Sequence, residues 1–171
     1  AGSKKFEELL KSEALRNCVD TLCGYQENFR RDYFVFGWAG SYTDYIGQLY
    51  HMDVKLALER KPVCRFSIVI PARNSASTLR HTLKTCLNQR WQGEFEIVIS
   101  DNSEEGNTEV YHFCQTLQNE RIKYYRTPRD LRLNRSFEYA FLQTRGEYVL
   151  SIGSDDALLP WTLEVWDQVL Q

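Results

Sequence analysis

The sequence predicts an α/β fold, a mostly parallel sheet with flanking helices, preceded by a helical N-terminal extension. From Phe66 onward, short apolar runs alternate with amphipathic stretches, the pattern of βαβ units. Residues 4 to 60 show helical periodicity without that alternation. The division falls at 62/63, giving an aromatic-rich helical extension over residues 1–62 and an α/β domain over residues 63–171.

In the extension, Phe6, Leu10, Ala14 and Cys18 step by four, and Ile46, Leu49, Met52 and Leu56 form a second stripe. The aromatic segment between them, Tyr25 to Tyr45, carries more ring surface than water tolerates, so it is expected to pack on the α/β domain or on a partner. In the domain, Phe66 to Ile70 is the first strand, followed by a helix with Leu79, Leu83 and Leu87 on one face and Cys86 at the same spacing. Phe95 to Ser100 is the second strand, and its helix turns Val110, Phe113, Cys114 and Leu117 inward. Ile122 to Tyr125 is the third, followed by a helix whose stripe is Leu133, Phe137, Ala140 and Phe141. Tyr148 to Ile152 is the fourth strand, and Pro160 opens a last helix bearing Leu163, Trp166 and Leu170.

Composition narrows the function. The 171 residues are 43% hydrophobic with a formal net charge of −2, so no general attraction to nucleic acid is expected. No apolar run approaches the roughly 20 residues that span a bilayer, and the N-terminus lacks the apolar core of a signal peptide. The five cysteines, Cys18, Cys23, Cys64, Cys86 and Cys114, contain no C-x-x-C pair. Reduced thiols and a cytoplasmic location are the simplest account, with the inner face of a membrane open for the full protein. Neither G-x-G-x-x-G nor a Walker A loop is present, which disfavours reductase and kinase readings.

The chemistry gathers at strand ends. Pro71-Ala72-Arg73-Asn74 follows the first strand, Asp101-Asn102-Ser103 the second, and Gly153-Ser154-Asp155-Asp156 the fourth. In a parallel sheet such carboxyl ends share one edge, where ligands bind. Two adjacent carboxylates there suit a hard divalent cation, Mg²⁺ or Mn²⁺, carrying a phosphate ligand. The same pair also suits a solvated turn that caps the following helix. Arg121, Lys123, Arg126, Arg129, Arg132 and Arg135 cluster nearby; Arg129, Arg132 or Arg135 can grip a diphosphate, and a solvated basic face is the alternative. His51, His81 and His112 stand singly, without metal-ligand spacing.

The order Phe66-Ser67-Ile68-Val69-Ile70-Pro71-x-x-Asn74, Ile97-Val98-Ile99-Ser100-Asp101-Asn102-Ser103, then Arg145-Gly146-Glu147-Tyr148-Val149 leading to Ser154-Asp155-Asp156 and Pro160, resembles the nucleotide-sugar half of family 2 glycosyltransferases of the GT-A fold, Rossmann-like in architecture. The resemblance covers about residues 65 to 166. It implies a donor-binding part of a metal-dependent, inverting enzyme that moves sugar from a nucleoside-diphosphate sugar, a UDP-sugar first, to a glycan or lipid-linked acceptor. It implies a nucleotide along Pro71, Ala72, Arg73, Asn74 and Ser154, a base contact at Asp101, and a metal, Mn or Mg, at Asp155 with Asp156 in support. The catalytic base is expected outside this chain, which ends at Gln171 shortly after the acidic pair. Gly153, Arg73 and Ser136 depart from the family pattern, standing where Asp, an aromatic residue and Asn are common. A noncatalytic nucleotide-sugar-binding or assembly module, with the helical N-terminus recruiting a partner, is the alternative.

Overall fold

The structure, a computed structural model, describes residues 47–170. The expected helix over Phe6 to Cys18 and the aromatic segment from Tyr25 to Tyr45 lie outside the described residues. From Lys55 onward the chain forms one compact unit. Its elements are α1 (Val54–Leu58), β1 (Cys64–Ala72), α2 (Ala76–Leu87), β2 (Phe95–Asp101), α3 (Glu109–Leu117), β3 (Ile122–Arg126), α4 (Leu133–Leu142), β4 (Gly146–Ser151) and α5 (Thr162–Val169). No helix among the described residues is long and apolar enough to cross a membrane.

All four strands run parallel, in the order β3-β2-β1-β4. Ile68, Ile70, Ile97 and Ile99 are fully buried on one sheet face against Leu79, Leu83, Val110 and Leu163. Each such side chain contributes about 1.5–3 kcal/mol by leaving water. Cys86 and Cys114 belong to this core, and burial pushes both thiols up to about 12.

On the opposite face Val69 and Val98 pack under Ala140 of α4. The buried side of α4 is Arg135, Ser136, Tyr139 and Ala140; of the predicted stripe Ala140 is buried and Phe137 half-buried, whereas Leu133 is 71% and Phe141 42% exposed. Small residues at 136 and 140 let the helix approach the sheet closely, and the Tyr139 hydroxyl donates to Arg126 O at 3.2 Å. The stripe from Ile46 to Leu56 is not one helix either. Residues 47–50 are helical, then His51 takes φ 53° and Met52 N donates to Gly47 O at 3.0 Å, a helix-ending turn. The last helix begins at Thr162, two residues beyond Pro160, whose carbonyl instead accepts from Arg90 N at 2.7 Å.

Two details fix how β4 meets β1. A Cβ on Gly146 would lie 2.5 Å from Ser67 N, so only glycine permits the approach. Around it Glu96 Oε1 accepts from Ser67 Oγ and Arg145 N, both at 2.6 Å, while Gly146 N donates to Ser67 Oγ at 2.8 Å. Farther along, Val69 O accepts from Ile152 N on the β4 side, and Ala72 O accepts from Asn102 N on the β2 side. Backbone groups alternate sides along a strand, so position 71 faces β4. Proline there has no N–H to offer, and the β1–β4 register ends at Val69↔Ser151. A crevice opens at that point.

Candidate functional site

That crevice is where the strand order reverses, with β2 on one side of β1 and β4 on the other. In open parallel sheets this switch point leaves a cavity outside the strand ends. Here a cleft of about 590 Å³ is lined by Pro71, Ala72 and Arg73 after β1, Asn102 after β2, Asp130 to Leu133 at the entry of α4, Ser136 and Phe137 on α4, and Gly153, Ser154 and Asp155 after β4. Three of the strand ends noted in the sequence therefore contribute to one wall system.

Arg73 forms a bidentate ion pair with Asp130 and donates to Asn102 O at 3.3 Å. The pair holds the Asp130 carboxyl below the usual carboxylate range, the Arg73 hydrogen bond being the main cause. The first turn of α4 carries no acidic residue, and Arg132 is its N-cap. The partial positive charge of a helix start and the Arg132 guanidinium thus share the same side of the cleft.

Asn102 shapes the wall. Its side-chain amide donates to Leu131 O, while its Oδ1 accepts from Leu131 N at 2.8 Å and Thr127 Oγ1 at 2.9 Å. This pins the β3–α4 connection to the end of β2.

Asp101 is fully buried and does not line the cleft. Its Oδ1 accepts from Ser103 N and Ser103 Oγ, and its Oδ2 from the Tyr124 hydroxyl at 2.7 Å and Arg126 Nη1 at 2.9 Å. A carboxylate offers about four acceptor directions, and protein donors fill them all. A nucleobase N–H reaches this group only in exchange for one of them.

Asn74 sits at φ 51°, bonding loop to loop: its N–H donates to Ser103 Oγ, and its Oδ1 accepts from Glu104 N and Asn107 Nδ2. It too lies off the cleft wall. Of the three candidate arginines, Arg132 lines the cleft, Arg129 is exposed outside it, and Arg135 is buried and paired with Glu138 at 2.6 Å.

Ser154 and Asp155 line the cleft. Asp156 is exposed and does not line it; its Oδ2 accepts from Gly153 N at 2.8 Å. A Cβ added at Gly153 would meet Asp155 Oδ1 at 2.8 Å and Asp156 Oδ2 at 2.9 Å. The two carboxylates therefore converge over the space that glycine leaves open. Among the described residues no group of three or more His, Cys, Asp or Glu is placed to hold a metal ion. One or two carboxylates still fit a hard cation that keeps water and takes phosphate oxygens for the rest of its shell.

Asp130, Leu131 and Phe137 line the cleft without having been noted as ligand contacts in the sequence, and Asn102 was noted only as part of a cluster. Asp130 stood within the basic run; Leu131 and Phe137 gave no polar signal.

Comparison with curated protein sequences gives no match. Among solved structures, the S. aureus TarS fragment 1–349 with UDP is similar at 22% identity and TM-score 0.54, over 62% of this chain and 32% of that one. TarS 1–349 with UDP-GlcNAc gives 21%, 0.51, 62% and 31%. Mannosyltransferase PcManGT from Pyrobaculum calidifontis, with GDP-Man and Mn²⁺, gives 19%, 0.51, 69% and 38%. The chain spans about a third of the length of these proteins, and the likeness establishes the shared GT-A, Rossmann-like architecture. The family model for glycosyl transferase family 2 matches residues 67–166, more than half of the chain and all of the cleft, and the chain belongs to that family.

Proposed function

We propose that residues 63–171 are the donor-binding domain of a divalent-cation-dependent, inverting glycosyltransferase, with residues 1–62 as its extension. The donor is a nucleoside-diphosphate sugar, a UDP-sugar first, and the acceptor a glycan or lipid-linked saccharide. The observation that carries this reading is the switch-point cleft, whose lining includes both Asp155 and Arg132 at the start of α4. An acidic residue and a cationic helix start in one cleft suit a diphosphate bridged by a cation. The complexes of similar structures with UDP, UDP-GlcNAc, and GDP-Man with Mn²⁺ support the same ligand class.

In this reading the nucleotide runs along Pro71, Ala72 and Arg73, with Asn74 holding that loop and Asp101 reaching the base by exchange of the Tyr124 hydroxyl. Ser154 lies beside the ribose and phosphates, and Arg132 grips the diphosphate; Arg129 and Arg135 serve it from farther back. Asp155 faces the cation and Asp156 supports it. A bound Mn²⁺ or Mg²⁺ supplies Lewis-acid neutralisation of the charge that develops on the departing nucleoside diphosphate. The chain's own residues bind the donor, orient its diphosphate and exclude water from it.

Thermal unfolding with UDP, GDP, CDP and dTDP, each with and without Mn²⁺, tests the reading. UDP with Mn²⁺ is expected to raise the midpoint by more than the two separate shifts combined, since ligand at about 100 times its Kd stabilises by about 2.7 kcal/mol. Asp155→Ala is expected to remove that synergy in a folded chain, with a smaller loss for Asp156→Ala. Equal synergy in wild type and Asp155→Ala would sink the assignment.

A further inference from the structure

The loop that carries Asp155 and Asp156 is held from behind by one row of side chains on α2 and just past its end. Thr82, fully buried, donates its hydroxyl to Ser154 O at 3.0 Å and Asp156 O at 2.7 Å. One turn on, Thr85 Oγ1 accepts from Leu158 N at 3.0 Å and donates to Thr82 O at 2.8 Å. Gln89 follows, its amide donating to Leu159 O at 3.0 Å while its Oε1 accepts from Leu163 N at 3.2 Å. Positions 82 and 85 share one face of α2 and Gln89 follows just past its C-cap, so the end of α2 serves as a rail along which the backbone from Ser154 to Leu163 is laid.

Within this row Thr82 differs from its neighbours. The two carbonyls it bonds belong to the residues on either side of Asp155, so its single hydroxyl proton fixes the peptide before Asp155 and the one after Asp156. Thr85 and Gln89 grip the chain only beyond the acidic pair. The carboxylates themselves are exposed, and of the backbone amides around them Gly153 N donates to Asp156 Oδ2. Their position is therefore set by the backbone beneath them, and Thr82 sets that backbone.

Resting on the donor-site reading above, we propose that Thr82 is a positioning residue for the cation site: it acts through the Ser154 and Asp156 carbonyls to hold the Asp155 carboxylate toward the cleft. Valine matches threonine in shape and lacks the hydroxyl, so Thr82→Val takes the donor from both carbonyls while keeping the core filled. Residues that orient a metal ligand from behind alter metal affinity without touching the ion.

The test uses the full chain, titrated calorimetrically with UDP in the presence and absence of Mn²⁺. Thr82→Val is expected to weaken Mn²⁺-dependent UDP binding by about 10-fold, leave metal-free UDP binding within about 2-fold, and regain most of the loss in Thr82→Ser. Amide hydrogen exchange of residues 153–157 in the free chain is expected to quicken in Thr82→Val and return in Thr82→Ser, with β1 and β2 unchanged. If Thr82→Val does not fold, Thr82→Ala carries the same comparison. Mn²⁺-dependent binding in the variant equal to wild type overturns this inference alone, as does equal loss with and without metal. No Mn²⁺-dependent binding in the wild type overturns the donor-site reading and this inference with it.

Discussion

The Gly153 amide donates to Asp156 Oδ2 at 2.8 Å, so the second carboxylate of the acidic pair is turned back onto its own loop while Asp155 lines the cleft. The two neighbouring acids thus converge above Gly153, and of the two only Asp155 lines the cleft. The local cause is a four-residue turn, Gly153 to Asp156, closed by Asp156 N on Gly153 O at 3.3 Å.

Gly153 leaves room for both carboxylates, and a methyl group there would lie 2.8 Å from one and 2.9 Å from the other. Both are ends of flexible, exposed side chains, so Gly153→Ala is expected to keep its stability within about 1 kcal/mol. The carboxylates must move, and Mn²⁺-dependent UDP affinity is expected to fall several-fold, by analogy with other shifted metal ligands. A folded variant with unchanged metal dependence, measured by calorimetry, would remove Gly153 from the site.

Asp101 lies among four donors, one of them the Arg126 guanidinium. An amide in its place turns an N–H toward one of those donors and leaves Arg126 without its counter-charge. Asp101→Asn is expected to lose about 2–4 kcal/mol in urea unfolding, less than a fully buried pair because Arg126 is partly solvated. Tyr124→Phe instead frees one acceptor direction on Oδ2, and is expected to increase the preference for UDP over CDP. An unchanged preference would place the base away from Asp101.

The Arg73–Asp130 pair closes one side of the cleft, and its hydrogen bonds hold the Asp130 carboxyl below its ordinary value. A carboxyl with a depressed folded-state pKa stabilises above the unfolded value, about 3.9, and loses that contribution as pH falls through the folded value. Both groups are exposed, so the difference between wild type and Asp130→Asn is expected to be at most about 1 kcal/mol. Urea titrations from pH 7 to pH 2 should show it constant above about pH 5 and vanishing in acid. A difference that grows on acidification would contradict the pairing.

Much of the fold was legible in the chain. Ile68, Ile70, Ile97 and Ile99 alternate with their neighbours in runs too apolar for anything but buried parallel strands, and α2 and α3 bury residues of their predicted stripes. The α4 stripe was misjudged because periodicity cannot tell which side of a helix meets the sheet. Close approach over Val69 and Val98 kept Ala140 of that stripe and added the small Ser136, leaving Leu133 and Phe141 outside. His51 broke a regular stripe through a single backbone angle, which hydrophobic spacing does not encode.

By itself the sequence determined that polar clusters follow three strands, and hence that Pro71 to Asn74, Asp101 to Ser103 and Gly153 to Asp156 meet at one edge, since parallel strands align their carboxyl ends. Only the tertiary structure decided which side chains in those clusters face the cleft. Asp101 and Asn74 spend their hydrogen bonds on the loops around them, Asp156 on Gly153, and Thr82 on the loop behind Asp155. Strand order follows from patterns repeated over many residues. The direction of a single polar side chain depends on which donors and acceptors the fold brings within about 3 Å of it, and those come from residues distant in sequence.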